Sequence, residues 1–255
     1  MVSPYLKNKG SAVRFCLWPQ MIKKLLEKSL DFFIINHHNK KLLKYIQIEE
    51  FNTIIDIGSH RGELLKSITK FNYKYENYVA FEPVSSLYSD LGREFSKVEN
   101  ITLYNLALGN RVSKDKIFVN LFSSTNTFKQ INNNLIKYKI KNALSYFMST
   151  NSENIYEEVQ IEKLDNFIDK IPEPLSLLKV DTEGYEFEVL QGGKNFLTKY
   201  NPKFLIIEIQ KQKNYLNYNP DRIEKLILDL GYEKIFEIKG PFSLFRDYIY
   251  KSVTF

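Results

Sequence analysis

The chain has 255 residues, 44% of them apolar, and a formal charge of +6, which suits one large α/β domain with a buried core. Its Lys and Arg residues are spread along the sequence without a polybasic tail, which argues against nucleic acid as the main partner and leaves anionic small molecules in play. Cys16 is the only cysteine, which excludes an internal disulfide and a cysteine-based zinc site. Residues 1–10 lack the apolar core of a signal peptide, and no apolar run nears the roughly 20 residues of a membrane span, so a cytoplasmic protein is expected.

Residues 1–50 read as an N-terminal helical appendage to a main domain over 51–255. Between residues 21 and 46, Ile22, Leu25, Leu26, Leu30, Phe33, Leu42 and Leu43 recur at helical spacing among lysines. One reading is packing against the main domain. The other is peripheral contact with a membrane surface or a partner. His37 and His38 are adjacent, so on a helix they diverge and do not share a metal.

From residue 53 the pattern alternates. A strand over 53–57, a helix over 63–71, a strand over 78–81, a helix over about 85–96 and a strand over 101–108 predict a parallel sheet wrapped by helices. Residues 116–122 suit a further strand. Residues 123–155 are polar, carry a possible helix over about 134–147, and read as an insertion: a disordered surface loop or a substrate lid. The rhythm resumes with a strand over 175–180, a helix over 185–200 weakened at Gly192-Gly193, and a strand over 203–209. A helix over 221–230 stopped by Gly231 and strands over 234–238 and 248–253 complete it.

Three motifs carry chemistry. Asp56-Ile57-Gly58-Ser59-His60-Arg61-Gly62 is a strand end, a tight turn and a helix start. It lacks the central glycine of a dinucleotide loop, and its acid would repel a pyrophosphate. The same acid suits a cationic ligand, such as the amino and sulfonium groups of S-adenosylmethionine. Glu82 ends the next strand as Phe81-Glu82-Pro83, where a carboxylate accepts hydrogen bonds from ribose hydroxyls. Lys179-Val180-Asp181-Thr182-Glu183-Gly184-Tyr185-Glu186 runs from an apolar strand into three acids and a helix. It sets Asp181 and Glu183 near the reacting centre, while Glu186 favours the helix N-terminus electrostatically.

These motifs, together with Asn105-Leu106-Ala107-Leu108-Gly109, Val189-Leu190-Gln191-Gly192-Gly193 and Ile207-Glu208-Ile209, resemble the ordered motifs of the FkbM-type methyltransferases over about residues 51–210. The resemblance implies an α/β class I methyltransferase (Rossmann-like) fold: a mostly parallel seven-stranded sheet, one late strand antiparallel, with helices on both faces. It implies S-adenosylmethionine as cofactor and a hydroxyl oxygen as acceptor, commonly on a sugar, glycan or natural product. By the same resemblance Asp56, Gly58, Ser59, His60, Arg61 and Gly62 hold the methionine end of the cofactor. Glu82 and Pro83 hold the ribose, Asn105, Leu106 and Ala107 flank the adenine, and Asp181 faces the amino group or the acceptor.

A hydroxyl is a poor nucleophile until its proton leaves, which calls for a general base or a metal. Asp181, Glu183, Glu208 and His60 are the candidates. The three acids could cluster around Mg²⁺ or Mn²⁺; the preferred reading is that they work without metal. His60 has a pKa suited to base work, or it caps the following helix. The expected reaction is O-methylation of a sugar, nucleotide-sugar or glycan. A lipid or natural-product hydroxyl, or a non-catalytic binding protein, is the alternative. A nicotinamide oxidoreductase is disfavoured by the loop spacing, and a base-methylating enzyme by the lack of an Asn- or Asp-Pro-Pro-aromatic run after the strand over 175–180.

Overall fold

The structure is a computed structural model and describes residues 25, 28–29, 31–47, 50–119, 126–129, 155–210, 215–240 and 246–254. In chain order the elements are a π-helical turn (Ile34–His38), α1 (Asn39–Ile46), β1 (Glu50–Ile57), α2 (Glu63–Lys70), β2 (Lys74–Phe81), α3 (Ser85–Glu94), β3 (Ile101–Tyr104), β4 (Ala107–Leu108), β5 (Ser113–Val119) and β6 (Ile155–Glu162). There follow a 3₁₀ turn (Leu164–Phe167), β7 (Leu175–Val180), α4 (Glu186–Gly192), α5 (Lys194–Tyr200), β8 (Phe204–Glu208), α6 (Pro220–Asp229), β9 (Tyr232–Lys239) and β10 (Arg246–Ser252).

Seven strands form one sheet in the order β3-β2-β1-β7-β8-β10-β9, parallel except for β10, which runs against both neighbours. The chain leaves β1 toward β2 and β3, then returns to the other side of β1 with β7. That reversal opens a crevice beyond the C-terminal ends of β1 and β7, where ligands bind in such sheets. The central strands are buried on both faces, so β8 reads as Phe-Leu-Ile-Ile before Glu208, and β7 as Leu and Val broken by Ser176 and Lys179. On one face Ile55, Val180 and Ile207 meet α4, α5, α6 and the 3₁₀ turn. On the other, Ile54, Leu177 and Ile206 meet α1 and α2. This is the class I methyltransferase arrangement expected above. Strands β4, β6 and β5 make a second, three-stranded sheet over Val84 and Leu87.

Three local expectations change. The strand expected over 101–108 breaks at Asn105, whose side-chain amide donates to the carbonyls of Glu82 (2.9 Å) and Pro83 (3.0 Å). That clamp ends β3 and turns the chain into the second sheet. The helix expected over 185–200 is two helices, parted at Gly193, whose φ of −117° and ψ of 17° leave the helical region. Strand β6 went unseen, since its buried apolar residues Val159 and Ile161 stand among polar ones. The possible helix over 134–147 lies outside the described residues.

In the N-terminal segment, Leu42, Leu43 and Ile46 are buried in the same core as the sheet. Leu25 and Phe33 are exposed, and Ile22, Leu26 and Leu30 lie outside the described residues. Among the described residues, no helix is long and apolar enough to cross a membrane.

Candidate active site

The rim of the sheet divides at β1. On the β2 side, the chain turns at Gly58 with φ +78°. A Cβ there would sit 1.8 Å from the Asp181 carbonyl oxygen, so only glycine lets the turn after β7 pack this closely. The N–H groups of Gly58 and Ser59 donate to the Phe81 carbonyl at 3.0 and 3.1 Å, strapping the loop to the end of β2. Glu82 follows directly. It accepts from the His60 N–H (2.8 Å) and the Val84 N–H (2.9 Å). Burial outweighs those bonds and pushes its pKa up to about 7.

His60 has φ +50°, and its Nδ1 lies 2.8 Å from Glu63 Oε1. Burial works against the imidazolium, yet the charge and hydrogen bond of Glu63 prevail and raise its pKa. Burial likewise opposes ionisation of Glu63, and His60 prevails again, holding it at about 2. The ring thus ties the loop to the first residue of α2. Arg61 Nη1 lies 3.4 Å from Asp31 Oδ2 of the N-terminal segment. At the end of β3, Asn105 is exposed, Leu106 packs half-buried against the core and Ala107 is buried.

On the β7 side the carboxylates meet one another. Asp56 is 1% exposed; its Oδ2 accepts from Tyr78 Oη at 2.6 Å, and its Oδ1 lies 3.8 Å from Lys179 Nζ. Burial raises its pKa against the pull of Lys179 and Tyr78. Lys179 Nζ also donates to Asp181 Oδ2 at 2.8 Å. Burial disfavours its ammonium, but Asp181, Asp56 and Asp247 together hold its pKa above the usual value. The turn after β7 is shaped by the fully buried Glu186, which accepts from the N–H groups of Thr182 (3.1 Å) and Gly184 (2.9 Å). Burial pushes Glu186 up to about 7. Glu183 has φ +51°, and its carboxylate accepts from Tyr215 Oη. The Thr127 hydroxyl of the insertion donates to the Glu183 carbonyl at 2.6 Å.

Glu208 ends β8 beside this turn. Asp181, Glu183 and Glu208 each bring an oxygen within 4.8 Å of the other two. Gln210 donates its amide to both Glu208 Oε1 and Glu183 Oε2. Burial raises the pKa of Glu208 well above the usual range, and Asp181, Glu183 and Asp247 add to it against Lys179. The acids named from the sequence therefore gather at the two ends of one crevice, with His60 on the cofactor-loop side.

Sequence reasoning passed over four neighbours. Lys179 had a signal, a lysine inside an apolar strand, which is a buried charge in need of partners. Asp247 and His38 had none, because each joins the site through strand pairing or helix packing distant in sequence; Gln210 stands two residues past Glu208 and was local.

The methyltransferase FkbM domain matches residues 56–234. No curated protein matches significantly. Among solved structures, the methyltransferase FkbM from Methylobacillus flagellatus KT is 15% identical with a TM-score of 0.50, covering 79% of this chain and 44% of that one. This chain thus spans less than half of that protein. A SAM-dependent methyltransferase from Leishmania major is 11% identical with a TM-score of 0.46, covering 86% of this chain and 72% of that one. An rRNA methylase from Streptococcus thermophilus is 9% identical with a TM-score of 0.47, covering 85% of this chain and 95% of that one. With the domain match running from the Gly58 loop past the Glu208 strand, the chain belongs to the FkbM family of S-adenosylmethionine-dependent methyltransferases.

Proposed function

We propose that the chain methylates a hydroxyl oxygen of a sugar, nucleotide-sugar or glycan. The observation that carries this reading is the approach of Asp181, Glu183 and Glu208 to within 4.8 Å of one another beside the cofactor loop. S-adenosylmethionine, when bound, supplies a methyl group carried on a sulfonium.

The residues fit that cofactor. Ser59 Oγ and Asp56 Oδ1 are buried without a hydrogen-bond partner among the described residues. Asp56 and Asp181 offer negative charge to an ammonium or sulfonium. The loop from Asp56 to Gly62, Arg61 included, would hold the methionine end. Glu82, beside Pro83, would accept the ribose hydroxyls, and Asn105, Leu106 and Ala107 would flank the adenine.

An acceptor hydroxyl must lose its proton as its oxygen attacks. Glu208 receives that proton at Oε2, the oxygen that Gln210 leaves open. Its raised pKa makes it a stronger base than an exposed carboxylate once it is ionised. Asp181 and Glu183 orient the hydroxyl, and Tyr215 and Gln210 hold Glu183 in place. His60, bonded to Glu63, shapes the loop instead of taking the proton. The positive partner of the cluster is the Lys179 ammonium, so protons and not Mg²⁺ or Mn²⁺ serve it. Arg222 lines a cleft beside Gly184 in which Lys129 is paired with Glu188, and its guanidinium is suited to a phosphate-bearing acceptor.

The test is transfer of isotope-labelled methyl from S-adenosylmethionine to a panel of nucleotide sugars, glycans, lipid-linked saccharides and natural-product alcohols. Label on a sugar hydroxyl, retained after dialysis against a chelator, is the expected result. Label on an amine, or a requirement for divalent ion, contradicts it. Tight binding of S-adenosylhomocysteine in calorimetry without transfer to any acceptor favours a non-catalytic binding protein.

A further inference from the structure

The N-terminal segment reaches the rim at three places. Asp31 meets Arg61 of the cofactor loop. Asn39 Nδ2 donates to the Glu63 carbonyl (3.1 Å) and to Ser67 Oγ (3.0 Å) of α2. His38 Nε2 bonds Asp247 Oδ2 of β10. His38 and Asp247 are each 3% exposed, while His37 is exposed and stacks on Phe33. His38 closes the π-helical turn, a geometry common at functional sites.

Asp247 pairs in register with Glu208 across β10 and β8. Directly opposed residues of antiparallel strands carry their side chains on the same face, in contact distance. Both stand on the α1 face, two residues from Ile249 and Ile206 of that core. Asp247 Oδ1 is buried without a hydrogen-bond partner among the described residues. That oxygen leaves its charge to bear on Glu208.

We propose that the N-terminal segment is part of the catalytic centre, with His38 a positioning residue that acts through Asp247 on Glu208. The inference rests on the cofactor and base assignments above.

Two carboxylates side by side in a buried place resist ionising together. Glu208 is faced by Asp181 and Glu183 from the turn after β7, Asp247 from β10, Lys179 from β7, and Gln210 and Tyr218 beyond β8. Asp247 is faced by His38, Lys179 and Glu208. Lys179 is bonded to Asp181. His38 is therefore the partner that answers Asp247 directly, and it decides how much of that charge falls on Glu208. Without His38, Glu208 ionises only at higher pH. With Asp247 neutral, Glu208 ionises at lower pH. A pair with a merely structural role would not move the base in opposite directions.

The experiment needs no acceptor. S-adenosylmethionine and S-adenosylhomocysteine differ by the sulfonium charge and its methyl. The ratio of their Kd values, measured by calorimetry on the chelator-dialysed full chain across pH, reports the charge beside that sulfur. The preference for S-adenosylmethionine is expected to rise with pH as Glu208 ionises, and to lose that dependence in Glu208→Gln. His38→Gln is expected to move the midpoint up by about one pH unit, and Asp247→Asn to move it down by about as much. A folded His38→Gln with the wild-type midpoint, or both variants shifting the same way, overturns the inference. If His38→Gln does not fold, an unmoved midpoint in Asp247→Asn overturns it. A wild type that binds both ligands with a pH-independent ratio overturns this inference alone. A wild type that binds neither overturns the cofactor assignment as well.

Discussion

The two halves of the rim hold buried acids in different ways. On the β2 side each carboxylate has its own donors: backbone N–H groups for Glu82, and the His60 imidazole for Glu63. On the β7 side Asp181, Glu183, Glu208 and Asp247 face each other around one ammonium, Lys179. A carboxylate with fixed donors is a rigid acceptor, suited to binding hydroxyls in one geometry. Carboxylates in mutual repulsion favour keeping a proton among them, which suits acid–base work. The same residue type thus serves recognition on one side of β1 and chemistry on the other.

The sharpest break of that comparison is Glu208→Gln. Methyl transfer should fall about 10²–10⁴-fold, the usual contribution of a general base, while affinity for S-adenosylhomocysteine stays within about threefold. An equal loss in binding and turnover would erase the division. The next effect is on stability. Glu82 and Glu186 ordinarily titrate near 4.5 and are pushed up to about 7 in the fold. A raised carboxylate pKa means stability that is full below the unfolded value and lost as pH rises through the folded one. Stability to thermal unfolding should therefore fall from about pH 5 to pH 8, by up to about 3 kcal/mol for each such group. In Glu186→Gln that slope should shrink by one group; an unchanged slope would remove Glu186 from the buried ionisable set.

Glu82→Ala should weaken S-adenosylhomocysteine binding about tenfold or more, because two hydroxyl bonds to a charged acceptor are lost. In the wild type that binding should strengthen as pH rises through about 7, since hydroxyl donors favour the ionised Glu82. Pre-equilibrium titration across pH checks both. Asp31→Asn should do least. Its 3.4 Å contact with Arg61 is partly exposed, so the melting free energy should change by less than about 0.5 kcal/mol. A larger loss would mean that the N-terminal segment holds the cofactor loop in place.

Much of the cofactor side was legible because its chemistry is local. Asp56, Gly58, Gly62 and Glu82 lie at strand ends and turns whose residue types are constrained by backbone shape. The acids at 181, 183 and 208 were legible as strand ends in adjacent strands of a parallel sheet, and β7 and β8 do lie side by side. The break at Asn105 was hidden, since it depends on carbonyls more than twenty residues earlier in the chain. Strand β6 was hidden by its glutamates, one of which, Glu157, shares the inward face and accepts from Ser85.

The alternation of strands and helices, the glycine turn and the acids that end the central strands can be read from the order of residues alone. Periodicity and turn chemistry are properties of neighbouring residues, so they can be read in order. Packing across the fold is what shares Lys179 between Asp56 and Asp181, sets Asp247 opposite Glu208, and brings His38 to Asp247. Those pairings follow from the parallel register of β1 and β7, from the reversed β10 and from the packing of α1 on the sheet. Burial then makes each one matter, because a charge out of water is governed by the few groups it touches.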